Sequence, residues 1–91
     1  MSGGFFEYDQ YRIGNIIDGI EREINRQEQG LNEYLTLKPE TLDKFRDAVY
    51  YLKVAQIYAQ RVDWLLSGDD GETSFHNRLT QDLEELVREY I

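Results

Sequence analysis

The side chains that could do chemistry in this chain are mostly tyrosines and a few cations. Tyr8, Tyr11 and Arg12 lie within about one helical turn of each other. Further along, Tyr50, Lys53, Tyr58 and Arg61 recur at helical spacing, with Tyr58 and Arg61 at i, i+3 and Lys53 and Arg61 about two turns apart. Aromatic faces stack on nucleobases, and a guanidinium grips phosphate as a fork. These seven residues are the candidate ligand-binding set, and a small nucleotide-like ligand is the chemistry they suit. A second account uses the same residues. Tyrosines favour half-buried interfaces, and Lys53 and Arg61 can simply pair with nearby acids.

Catalytic groups are scarce. His76 is the only histidine, and no spacing supplies it with an orienting partner. Ser67, Thr73 and Ser74 flank turns and helix starts, where hydroxyls cap backbone N–H groups, and none sits in a Gly-x-Ser-x-Gly context. Asp69, Asp70 and Glu72 could attract a hard cation, but the twelve-residue calcium-loop pattern is absent, and helix capping accounts for Asp69 and Glu72. Gly3-Gly4 follows no strand, so it lacks the setting of a phosphate cradle. There are no cysteines, which removes thiolate metal sites and thiol nucleophiles. The expectation is no enzyme, no metal and no cofactor.

The totals frame these residues. Ninety-one residues make one domain, 41 % hydrophobic and 31 % charged, too apolar for a disordered chain. No apolar run approaches the roughly 20 residues needed to cross a bilayer. The opening Met1-Ser2-Gly3-Gly4-Phe5-Phe6 has neither the basic region nor the apolar core of a signal peptide, so a cytoplasmic location is expected. A net charge of −8 repels duplex nucleic acid and anionic membranes. That charge is uneven: −3 over residues 1–30, zero over 31–68 and −5 over 69–91. An anionic ligand is least opposed by the middle segment.

Three helical periods position these groups, and no strand-like alternation competes with them. The fold class is all-α: a three-helix antiparallel arrangement with a long central helix, with helices over about 9–29, 39–66 and 70–90 and a flexible N-terminus at 1–5. Ile13, Ile16, Ile17, Ile20 and Ile24 form one stripe, with Asp9 as N-cap and Gly30 as stop. Gly14 and Gly19, inside that helix, suggest either tolerated weakness or the close approach of another backbone. Residues 31–38 read as a connector anchored by apolar side chains. Pro39 suits a first helical position. The second helix has two seams. Leu42, Phe45, Val49, Leu52, Ala55, Ala59, Val62 and Leu66 make one; Tyr50, Val54, Ile57, Tyr58 and Leu65, with Trp64 nearby, make the other. One stripe is enough for a helix with two short neighbours. Two imply that it is central in the fold, that one stripe meets another subunit, or both, and a homo-oligomer is expected. Gly68 suits a C′ position, and Asp69 with Glu72 reads as a capping box for a third helix whose stripe is Phe75, Leu79, Leu83, Leu86 and Tyr90.

Two blocks carry a resemblance. Ser2-Gly3-Gly4-Phe5-Phe6-Glu7-Tyr8-Asp9-Gln10-Tyr11-Arg12-Ile13 resembles the start of a group of short, uncharacterised phage and prophage proteins. Ala59-Gln60-Arg61-Val62-Asp63-Trp64-Leu65-Leu66-Ser67-Gly68-Asp69-Asp70-Gly71-Glu72-Thr73-Ser74-Phe75 is similar to their other recognisable block. Together they cover about a third of the chain. The resemblance implies a phage-type origin and action in the cytoplasm of a bacterial host; it transfers no activity and no functional residue. The expected class is a binding protein that neutralises a host component, in its sharper form by capturing a nucleotide-like immune signal. Two alternatives accompany it: an acidic inhibitor of a host protein that imitates nucleic acid through Asp82, Glu85 and Glu89, and a small virion or assembly protein.

Overall fold

The computed structural model describes residues 4–90. Three α-helices account for the fold: α1 (Tyr11–Glu28), α2 (Pro39–Leu66) and α3 (Glu72–Arg88). Among the described residues there is no strand, and no helix is long and apolar enough to cross a membrane. Both α1 and α3 pack on α2, and they share no comparable contact with each other.

The helix ends follow local chemistry. Gly30 and Gly68 take left-handed backbone just past α1 and α2 (φ +69° and +82°). Past α2, the Gly68 N–H bonds to Leu65 O and the Asp69 N–H to Trp64 O, satisfying carbonyls that a helix end leaves free. Pro39 opens α2 after an extended Lys38, as its fixed φ and missing N–H favour.

The starts of α1 and α3 differ from expectation. Asp9 does not cap α1; Gln10 holds that position without a side-chain cap, and Asp9 pairs with Arg12 at 3.5 Å. Its cap is redundant because preceding turns feed the first donors: the Tyr11, Arg12 and Ile13 N–H groups reach the carbonyls of Tyr8, Asp9 and Gln10. The helix therefore begins at residue 11 rather than 9. At α3 the Asp69–Glu72 capping box is replaced by Asp70 and Ser74. Ser74 Oγ accepts from the Gly71 N–H at 3.2 Å and donates to Asp70 Oδ1 at 2.6 Å, moving the start to residue 72.

The α1–α2 core is Ile17, Ile24 and Val49, flanked by Ile13, Ile20, Phe45 and Leu52. Ile16, expected in the stripe, is 53 % exposed, since it sits at the edge of the arc that faces α2. Leu86 is the buried anchor of α3. Among the described residues no backbone closes on either glycine of α1: a Cβ at Gly14 would stand 3.0 Å from the side-chain Nε2 of Gln56, and Gly19 meets nothing within 4 Å.

The connector is held by polar groups, not by the apolar anchors expected of it. Leu31, Tyr34 and Leu35 are exposed. Asn32 Oδ1 accepts the N–H groups of Tyr34 and Leu35, its amide donates to Glu23 Oε2 at 2.8 Å, and Gln27 donates to the same oxygen at 2.9 Å. The hydrogen bonds from Gln27 and then Asn32 hold the Glu23 carboxyl below its ordinary 4.5, because they favour the charged form. A lowered folded value means that this contribution to stability is present above 4.5 and is lost as pH falls further. In thermal melts, Glu23→Ala melts below the wild type at neutral pH, and the gap closes once pH drops beneath 4.5.

A chain of 10.8 kDa folded as a compact monomer exposes about 5,500 Å² and has a radius of gyration of about 12 Å. The observed values are 6744 Å² and 16.3 Å. No large side chain is fully buried among the described residues. One copy leaves a great deal uncovered.

Candidate functional site

Of the first three candidate residues, Tyr11 and Arg12 open α1, and Tyr8 rides on an N-terminal arm, residues 4–10, folded back along the end of α2. Its anchor is Asp63, 3 % exposed. Asp63 Oδ1 accepts the Phe6 N–H at 2.9 Å, and Oδ2 accepts the Gln10 amide at 3.1 Å. Ser67 Oγ accepts the Phe5 N–H at 2.8 Å. Residues 4 and 5, expected to be part of a flexible stretch 1–5, are thus docked; residues 1–3 lie outside the described range. Gly4 packs so close that a Cβ would stand 2.7 Å from Asp63 Oδ2, and its φ of +66° admits only glycine without strain.

The arm then takes a form that ordinary residues avoid. Glu7 and Tyr8 are both left-handed (φ +54° and +67°), each at a cost of about 1–2 kcal/mol. Backbone strain of this kind persists only where the surroundings impose it, and it concentrates at functional sites. Here it turns the Tyr8 ring toward Tyr11. The two centroids are 5.8 Å apart with a 38° tilt, and both residues are about half exposed. Arg12 follows on the helix, 82 % exposed, pairing only loosely with Asp9.

The other four candidates stand elsewhere. Lys53 lies between acids, with Nζ 3.9 Å from both Glu21 and Glu89, and over the Tyr90 ring at 5.8 Å. Tyr50 meets that same ring edge-on at 5.0 Å. Tyr58 is exposed. Arg61 is enclosed, 12 % exposed, with Nε 2.7 Å from Asp82 and its guanidinium stacked on Trp64 at 4.7 Å. It also faces Asp70, whose side chain is 2 % exposed and whose Oδ2 has no hydrogen-bond partner. For Lys53 and Arg61 the ion-pairing account describes what the side chains do. Lys53 is ten residues from Asp63, about 15 Å along α2. Within one copy, the N-terminal trio and the Tyr50–Lys53 pair therefore do not form one pocket.

A groove of about 430 Å³ runs between α1 and α3, floored by Lys53, Gln56 and Ile57. Asp18, Glu21 and Glu89 line it against that single lysine, so its field opposes an anion. On α3, Asp82 is engaged by Arg61, whereas Glu85 and Glu89 are exposed. His76 is exposed, and among the described residues no acid or histidine cluster could hold a metal.

The opposite side of α2 is bare. Seven-residue steps from Val49 reach Gln56 and Asp63, whereas Ala55 and Val62 each fall one residue short, about 100° round the helix. The expected first seam therefore splits: Phe45, Val49 and Leu52 pack in the α1–α2 core, while Ala55 and Leu66 are exposed. With Tyr51 and Tyr58 they form a face that neither α1 nor α3 covers; Tyr51 is 68 % and Tyr58 45 % exposed.

Asp63, Gln10 and Tyr51 were not among the residues picked out from the sequence. Asp63 did leave a signal: counted on from Val49, Leu52 and Gln56, it is an acid on the face that meets α1. No family model, no curated protein and no solved structure matches the chain.

Proposed function

We propose that the protein is a non-catalytic binding protein of phage type that neutralises a host component, taking up a small nucleotide-like ligand on the Tyr8–Tyr11–Arg12 platform. The observation that carries this reading is the pair of half-exposed rings 5.8 Å apart, brought together by strained backbone, beside an exposed guanidinium. Each stacked base contributes about 1–3 kcal/mol, and Arg12 supplies the phosphate fork.

The proposal includes an antiparallel arrangement, with α2 as the shared central helix, and a homo-oligomer. Contacts between Gln10 and Asp63 and between Glu28 and Arg46 support opposed directions for α1 and α2. Those between Arg61 and Asp82 and between Lys53 and Glu89 do the same for α3. The surface beyond that of a compact monomer is on the order of 1,200 Å², more than the roughly 800 Å² each partner buries in a standard interface. A second copy on the Tyr51–Tyr58 face would cover it and bring further tyrosines toward a ligand, Tyr50 and Tyr58 being the candidates. The competing reading, an acidic nucleic-acid mimic, has a weaker basis, because Asp82 is already neutralised by Arg61.

A thermal-shift screen against cyclic dinucleotides and ADP-ribose derivatives tests the reading. The expected result is a raised midpoint with at least one compound, and at least about tenfold weaker binding in Tyr11→Ala. If no compound shifts the midpoint and Tyr11→Ala retains full activity in infected cells, the reading is wrong.

A further inference from the structure

We infer that Asp63 is the positioning residue of the tyrosine platform, a buried acceptor that holds the arm in the one shape that pairs Tyr8 with Tyr11. The inference rests on the platform proposed above as the binding surface, but its geometry can be judged without any ligand. Several observations converge on one carboxylate. Asp63 is nearly sealed from solvent, yet it makes no ion pair among the described residues. Its two oxygens instead go to the arm, one to the Phe6 N–H and the other to the Gln10 amide. Gly4 is fitted against it so tightly that no larger residue could enter.

Between these attachments lie only residues 7–9, and two of them are left-handed. Attachment at Phe6 and at Gln10 shortens the path the chain must cover. The left-handed pair is how it closes. Gln10 is 4 % exposed and leaves its own Oε1 without a partner, so the arm tolerates a buried unsatisfied oxygen in order to present its amide N–H to Asp63. Without the acceptor the arm is tied to the end of α2 only by the bonds from Phe5 to Ser67 and from Gln10 to Gln60, which span more chain than the Phe6-to-Gln10 pair and release Glu7 and Tyr8 from left-handed backbone. Tyr8 then leaves Tyr11, which α1 keeps in place.

The test is hydrogen exchange and aromatic NMR on the full chain, with Asp63→Ala, Asp63→Asn and Gly4→Ala. In Asp63→Ala, amides of residues 6–9 exchange about tenfold faster or more, while those of Ile20, Ile24 and Leu86 keep wild-type protection. The Tyr8–Tyr11 ring-to-ring NOE disappears. Asp63→Asn retains one acceptor oxygen and restores most of that NOE. Gly4→Ala disturbs the same latch from the arm side and loses the NOE with α2 unaltered, so a folding defect of the Asp63 variants would not leave the question unanswered. If a cyclic dinucleotide binds the wild type, its affinity falls about tenfold in Asp63→Ala. A Tyr8–Tyr11 NOE of wild-type strength in both Asp63→Ala and Gly4→Ala overturns the inference. Absence of ligand binding alongside the predicted NOE losses refutes the proposed function alone.

Discussion

Replacing Arg61 by alanine lowers the unfolding free energy by about 3 kcal/mol. The guanidinium is 12 % exposed and faces two acids, Asp70 in the α2–α3 turn and Asp82 on α3. Asp70 cannot turn to water for compensation, because its side chain is 2 % exposed and one of its oxygens already lacks a hydrogen bond. Removing the cation leaves Asp70 with only Ser74 and the half-exposed Arg78 at 3.5 Å, and takes from Asp82 its 2.7 Å partner, which costs more than the ion pair contributes when intact. The stacking on Trp64 goes with it. For a domain of this length the midpoint falls by an amount on the order of 20 °C in calorimetry. Arg12→Ala provides the contrast, since its 82 % exposed pair with Asp9 is worth little, and the melting curve stays where it was. Equal losses in the two variants would contradict this ranking. The consequence for function is direct: lost binding in Arg61→Ala reports lost structure.

Introducing glutamate at Tyr51 and Tyr58 together is expected to weaken the proposed self-association at least about a hundredfold. Both side chains stand on the α2 face that α1 and α3 leave open, so an isolated copy accepts the charges without clash. A second copy on that face would have to bury four carboxylates among alanine, valine and leucine. The uncompensated desolvation opposes assembly. Sedimentation equilibrium reads the mass and far-UV circular dichroism the helix content. The expected outcome is a lower mass with unchanged helicity. An assembled double variant would place the interface elsewhere.

Much of the architecture was legible in residue order. The isoleucine stripe, Pro39 and Gly68 are where a helical reading needs them, and the three helices follow. The face assignment on α2 was not legible, because a helix apolar on several sides offers no single stripe to follow. Val49 is followed at seven-residue steps by Gln56 and Asp63, so Ala55 and Val62, one residue short of those positions, turn off the face that meets α1. Capping was misjudged wherever a neighbouring turn or side chain could serve the same donors. Ser74 and Asp70 took over from Asp69 and Glu72, and the turns at Tyr8–Gln10 made Asp9 redundant.

Of the candidate site, Tyr8, Tyr11 and Arg12 were found through residue type and spacing, because α1 and the turn before it preserve that nearness. Their shaping was hidden. Left-handed backbone at Glu7 and Tyr8 carries no glycine or asparagine to announce it, and it depends on an acid more than fifty residues away. Lys53 and Arg61 carry the right charge for a phosphate, but tertiary packing supplies each with carboxylates from α3, a pairing that no local pattern displays.

The surface left open on α2 is what the rest depends on, and light scattering measures it most directly. Purified wild type at micromolar concentration should give a molar mass that is a whole-number multiple, two or more, of 10.8 kDa. A mass of 10.8 kDa, unchanged as concentration rises, would mean that the Tyr51–Tyr58 face stays in water and that no second copy completes the site.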